Sequence, residues 1–262
     1  TPRDLVDAVR AATPAPSRKR IAPTRSHVDL GEIAEPAAAR TLVEVLAHHA
    51  GTHPDRPHLG IWESDSLGRQ LSYGELHRDA LCIARGLLDA CAETGDRIAI
   101  MLPTGLGFFR TFFAILYAGC IPVPIYPPFR RAQVEDHLRR QAGILDNAQA
   151  VLLVTESEIR QVGSLLMGLV PSMRGVLTDQ DVLHNPPLER PAPASPDTTA
   201  LIQYTSGSTG NPKGVVLTHA NLLANIRAMG RALEATSKDV FVSWLPLYHD
   251  MGLIGAWLGS LY

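Results

Sequence analysis

The chain has 262 residues, 45% of them apolar and 19% charged, a composition that describes a globular protein with ample material for one large or two small domains. A net charge of −2 leaves no global basic face, so nucleic acid is not indicated as a partner. The longest greasy stretch, Phe112 to Pro128, is interrupted by Gly119, Pro122 and Pro124 and is too short to span a bilayer, which argues against an integral membrane protein.

Residues Thr1 to Pro36 are rich in Ala, Pro, Arg and Thr, carry the basic run Arg18-Lys19-Arg20 and show no secretory signal. Without apolar periodicity they are expected to form a weakly ordered extension, with 37–262 as the folded part. From Thr41 the pattern firms, because Thr41 can cap a helix that carries Leu42, Val45, Leu46 and Ala50 on one stripe. His58–Trp62 and Arg69–Ser72 flank the polar turn Asp65-Ser66-Leu67-Gly68 and predict a β-hairpin. Ser72-Tyr73-Gly74-Glu75 spells a capping box at the head of the next helix.

Gly95-Asp96 turns the chain into a strand over Arg97–Leu102, and Pro103-Thr104 is expected to start a helix bearing Phe108, Phe109, Phe112 and Phe113. Those aromatics are read as core, with an acyl-binding face as the alternative. Cys120–Ile125 is the next strand, and its prolines Pro122 and Pro124 place it at an edge or make it irregular. Helices over 132–147 and Ile159–Leu169, and strands over Ala150–Val154 and Gly175–Leu177, continue the alternation before the proline-rich surface crossing Asn185–Pro196. Alternation at this spacing implies α/β architecture, with mainly parallel sheets flanked by helices. Cys82, Cys91 and Cys120 form no CxxC pattern and read as small hydrophobes of a reduced compartment, the cytoplasm.

The apolar run Ala200–Tyr204 feeds the loop Thr205-Ser206-Gly207-Ser208-Thr209-Gly210-Asn211-Pro212-Lys213-Gly214. Gly207, Gly210 and Gly214 let the backbone bring its N–H groups close to a ligand. Four hydroxyls (Thr205, Ser206, Ser208, Thr209) add donors, and Lys213 adds a cation. Together they suit a polyphosphate, although the spacing is not that of a P-loop. A Ser/Gly-rich surface linker is the competing reading. The loop is expected beyond the carboxyl end of a sheet strand. Thr218 can cap a helix carrying Leu222, Leu223, Ile226, Met229 and Leu233, with His219 as a local hydrogen-bonder. Val240–Leu245 predicts a strand that leads into Pro246-Leu247-Tyr248-His249-Asp250-Met251-Gly252. His249 beside Asp250 is a candidate catalytic pair, an incidental surface pair being the alternative. No GxSxG motif supports a hydrolase triad, and no His or Cys spacing supports a zinc site.

From Thr41 onward the chain resembles the adenylate-forming ligases. The resemblance is carried by Leu71-Ser72-Tyr73-Gly74-Glu75-Leu76, by the Thr205–Gly214 loop and by Pro246–Gly252. The spellings Val123-Pro124-Ile125-Tyr126-Pro127-Pro128 and Leu247–Gly252 are most similar to fatty-acyl-AMP ligases. That resemblance implies an ATP-dependent enzyme in which a fatty acid carboxylate attacks the α-phosphate. Acyl-adenylate forms, pyrophosphate leaves, and the acyl group passes to an acyl carrier protein, as in polyketide or lipopeptide loading. A fatty acyl-CoA synthetase is the alternative.

By the same resemblance the loop residues from Thr205 to Lys213 hold the β- and γ-phosphates with Mg²⁺. His249 and Asp250 lie near the acyl carboxylate and the α-phosphate, with His249 in a positioning or electrostatic role. The family's downstream adenine and ribose segments and its C-terminal lid do not occur before Tyr262. The chain is therefore expected to be an incomplete N-terminal adenylation domain, inactive alone, and a non-catalytic nucleotide- or acyl-binding module is a further alternative. Met251–Tyr262, with almost no polar face, is expected to need cover from chain that is not present.

Overall fold

The computed structural model describes residues 31–63, 66–128, 134–205 and 213–262. The expected N-terminal extension lies outside these residues up to residue 30, as do the hairpin tip Ser64-Asp65 and the loop residues Ser206–Pro212. Helix α1 (Leu42–Thr52) starts at a full capping box, in which the Thr41 hydroxyl accepts from the Glu44 amide and the Glu44 carboxylate accepts from the Thr41 amide. Strands β1 (Pro57–Glu63) and β2 (Ser66–Ser72) form the expected antiparallel hairpin. Ser72 and Glu75 make the second capping box, at the head of α2 (Tyr73–Asp89).

The central layer is a parallel sheet of β3 (Arg97–Met101), β4 (Ile121–Pro124), β5 (Ala150–Thr155) and β6 (Gly175–Thr178), in the order β4-β3-β5-β6. The proline-bearing β4 takes an edge, as its missing amide donors require. Helices α3 (Leu106–Tyr117), α4 (Val134–Ala148) and α5 (Arg160–Leu169) complete the crossovers. A short α6 (Asp179–Leu183), not anticipated from the sequence, begins at a Thr178–Asp181 capping box. Alternation along β3 sends Ile98 and Ile100 to one apolar layer, with α1, α2 and α3, and Ala99 and Met101 to the other, with α4 and α5.

One expectation about an element start is corrected. Helix α3 begins at Leu106 and not at Pro103-Thr104, because Gly105 is fully extended and the Thr104 hydroxyl is used elsewhere, accepting from the Leu247 amide at 3.3 Å. Not anticipated from the sequence is strand β8 (Lys213–Thr218), which follows the glycine- and hydroxyl-rich loop and runs antiparallel to β7 (Thr199–Thr205). Helix α7 (His219–Ala232) follows, with Thr218 and Asn221 as its capping box. His219 is not a local hydrogen-bonder: its Nδ1 accepts the Leu42 amide at 3.1 Å, tying α7 to the start of α1.

The expected strand Val240–Leu245 does not form. Its backbone joins no ladder, and Val240, Val242 and Trp244 are each more than four-fifths exposed. The run Val240-Phe241-Val242-Ser243-Trp244-Leu245 is apolar at five of six positions, yet among the described residues no strand lies alongside to accept its hydrogen bonds. The opposite correction applies to Met251–Tyr262, which folds as a π-helical stretch, Met251–Leu258, running into α8 (Gly259–Leu261). Its cover comes from within the chain. Trp257 sits edge-on to Phe109, Phe112 and Phe113 at 4.6, 5.3 and 5.6 Å, and donates its indole N–H to His58 Nε2 at 3.2 Å. The α3 aromatics are thus core.

His58 and His49 each stack on Tyr73 with ring centroids 4.6 Å apart. Burial pushes the His49 and His219 imidazoles from 6.5 down to about 4 and His58 to about 3. The unfolded chain therefore takes up these protons near pH 6.5, while the folded chain resists them until about pH 4. Stability should be complete above pH 6.5 and fall as pH drops toward 4, by about 1.4 kcal/mol per pH unit for each of His49 and His219. Urea unfolding across that window checks this, and a flat midpoint would contradict it.

Candidate active site

Strands β7 and β8 converge on the candidate loop. Thr205 ends β7, Lys213 begins β8, and the two face each other in register, both exposed at the mouth of the hairpin. Ser206, Gly207, Ser208, Thr209 and Gly210 lie outside the described residues. The loop is thus the connection of an antiparallel hairpin, not the carboxyl end of a parallel strand, which corrects the placement expected from the β/α alternation. Gly214 also has a different role from the one its spacing implied. It pairs with Tyr204 inside the ladder, and a Cβ there would meet Tyr204 Cζ at 3.0 Å and Ile202 Cγ2 at 3.2 Å. Glycine lets the Tyr204 ring lie across the strand, with its hydroxyl donating to Asn147 Oδ1 of α4 at 2.5 Å. The hairpin is pinned to the parallel sheet's helical layer by that bond, and Ile202 and Tyr204 pack on the same apolar layer as Val123 and Ile125.

The second motif is a tight turn. The His249 amide donates to the Pro246 carbonyl at 3.2 Å, and the Leu253 amide to the His249 carbonyl at 2.9 Å. Gly252 is required there, since a Cβ would stand 2.3 Å from the Pro246 oxygen. His249 Nδ1 lies 2.6 Å from Asp250 Oδ1, and that same oxygen accepts the Met251 amide at 2.7 Å. Asp250 therefore caps the π-helical stretch while orienting the imidazole, leaving Nε2 of the two-thirds-exposed His249 available to a ligand.

Two side chains that sequence reasoning passed over hold this turn. Gln203 of β7, only 4% exposed, donates its amide N–H to the Tyr248 carbonyl at 2.9 Å, and the Thr104 hydroxyl accepts from Leu247. The available signal was an amide inside the otherwise apolar run Ala200–Tyr204, since a buried amide calls for a partner. Tyr126, from the Val123–Pro128 segment, lies 6.0 Å from the Tyr248 ring, 5.0 Å from His137 and 5.8 Å from the Arg140 guanidinium. The Val123–Pro128 segment, the Pro246–Gly252 turn and the β7–β8 hairpin are thereby linked.

The arrangement offers an exposed ammonium and hydroxyl at the loop mouth and an oriented imidazole–carboxylate pair tied to the same strand. Such groups can hold an extended anion at one end and orient a reacting group at the other. Among the described residues, no group of three or more His, Cys, Asp or Glu side chains could hold a metal ion, and no helix is long and apolar enough to cross a membrane.

Comparison with known proteins identifies the family. The chain is 32% identical to a medium-chain-fatty-acid–[acyl-carrier-protein] ligase of Teredinibacter turnerae, over 85% of this chain and 40% of the relative. It is 35% identical to a long-chain-fatty-acid–AMP ligase of Mycolicibacterium smegmatis, over 76% of this chain and 31% of the relative. Among solved structures, the fatty acyl-adenylate ligase from Legionella pneumophila in complex with acyl adenylate and pyrophosphate superposes with a TM-score of 0.75 at 28% identity, covering 88% of this chain and 40% of that one. The chain thus spans 31–40% of the length of these proteins. The model of the family described as "AMP-binding enzyme" matches residues 46–262, which include the hairpin, the His249–Asp250 turn and the residues that join them, and the chain belongs to that family.

Proposed function

We propose that the protein carrying this sequence activates a fatty acid with ATP, forming acyl-adenylate and pyrophosphate, and passes the acyl group to an acyl carrier protein. The observation that carries this reading is the β7–β8 hairpin, which sets Thr205 opposite Lys213 around the glycine- and hydroxyl-rich loop. A triphosphate and a fatty acid carboxylate repel one another, so the site must neutralise the first and orient the second. Lys213, Thr205 and the loop residues Ser206, Gly207, Ser208, Thr209 and Gly210 serve the β- and γ-phosphates. Mg²⁺ fits the same end as a hard cation held chiefly by phosphate oxygens and water, where it would offset phosphate charge. His249, oriented by Asp250, positions the carboxylate near the α-phosphate and carries no covalent role.

The carrier-protein acceptor rests on likeness to ligases named for that acceptor. Three unpaired cysteines suit a reducing cytoplasm. The test is fatty-acid-dependent ATP–pyrophosphate exchange by the full-length protein that carries this sequence, followed by acyl transfer to a phosphopantetheinylated carrier protein and, separately, to free CoA. Exchange and transfer to the carrier alone are expected. Absence of exchange would overturn the activation reading, and a CoA thioester would overturn the choice of acceptor.

A further inference from the structure

We infer that Gln203 is a positioning residue, which sets the His249–Asp250 turn against the strand that delivers Thr205 to the loop. The inference rests on the proposed adenylation. Gln203 stands mid-strand in β7 between Ile202 and Tyr204, at a buried position where a methionine or leucine would fill the same space. An amide buried there costs stability unless it is bonded, and its N–H meets the Tyr248 carbonyl at 2.9 Å. The turn's own hydrogen bonds use the carbonyls of Pro246 and His249, and the bond to the Tyr248 carbonyl joins the turn to β7. Thr104 adds a longer bond, to the Leu247 amide at 3.3 Å, from the loop after β3.

Tyr248 immediately precedes His249, and Gln203 lies two residues before Thr205. This hydrogen bond therefore spans the phosphate-gripping end of the proposed site and its carboxylate-orienting end. In a reaction between two anions, a displacement of about 1 Å between those ends is enough to slow the step by about 100-fold. The Gln203 amide acts through the backbone of Tyr248.

Two near-isosteric variants test this. Gln203→Met keeps the length and loses the donor. It should lower the kcat of fatty-acid-dependent pyrophosphate exchange by about 30-fold, with the KM for ATP changed less than about twofold and faster amide hydrogen exchange at Leu253. Gln203→Glu restores a donor only when its carboxyl is protonated. Its activity relative to the parent protein should therefore climb as pH falls from about 8.5 to about 6, since burial raises a carboxyl's pKa. A packing role would not produce that pH-dependent ratio. Parent-level kcat in Gln203→Met, or a flat ratio for Gln203→Glu, would overturn the inference. Should the parent protein show no exchange activity, the functional reading falls, and the Leu253 amide decides the tether alone: unchanged protection in Gln203→Met overturns it, and lost protection supports it.

Discussion

On the proposed function, Lys213→Ala in the full-length protein should slow acyl-adenylate formation by about 100-fold while leaving the unfolding midpoint unchanged. The two halves of that expectation come from one fact: Lys213 is exposed at the start of β8. An exposed cation adds little to fold stability, because water screens it. In the proposed adenylation site the same ammonium would face a triphosphate, with bulk water displaced, and oppose several negative charges at short range. Stopped-flow or exchange assays on the variant, with urea unfolding in parallel, separate these contributions. Lys213→Arg is expected to recover only part of the rate, because a planar guanidinium spreads the charge that the loop presents as a point. Unchanged kinetics in Lys213→Ala would remove the phosphate role from this hairpin.

Trp257→Ala should do the reverse, costing about 4 kcal/mol of stability through a core defect far larger than any surface change. Trp257 is 3% exposed, and its ring is shared by Phe109, Phe112 and Phe113. Its indole N–H also satisfies His58, so truncation leaves a buried nitrogen without its donor. Since domains have about 5–15 kcal/mol in total, the loss is a large share. Denaturant unfolding measures it directly, and a loss below about 1 kcal/mol would show that the last helix is not integral to the core.

Three helix starts were legible because they are local. Thr41 with Glu44, Ser72 with Glu75 and Thr218 with Asn221 are satisfied within three residues, so the spelling carries the geometry. The edge position of β4 was legible for a related reason, since Pro122 and Pro124 lack the donors that a second neighbour would demand. Partnerships across the chain were not. Lys213–Thr218 became a strand because β7 lies alongside it, whereas Val240–Leu245, although more apolar, found no such neighbour among the described residues. The candidate residues Thr205, Lys213, His249 and Asp250 could be picked from motifs. The side chains that place them, Gln203 and Thr104, act over separations of 45 and 143 residues, and no local pattern encodes those distances.

The burial of Trp257 sets it apart from the other two tryptophans, Trp62 at 69% exposure and Trp244 at 89%. Indole emission responds to the polarity around the ring, and only one of the three rings changes from a dry to a wet surrounding when the chain opens. The wavelength shift of intrinsic fluorescence is accordingly a site-specific signal for detachment of the terminal helix from α3, with no dye or label attached.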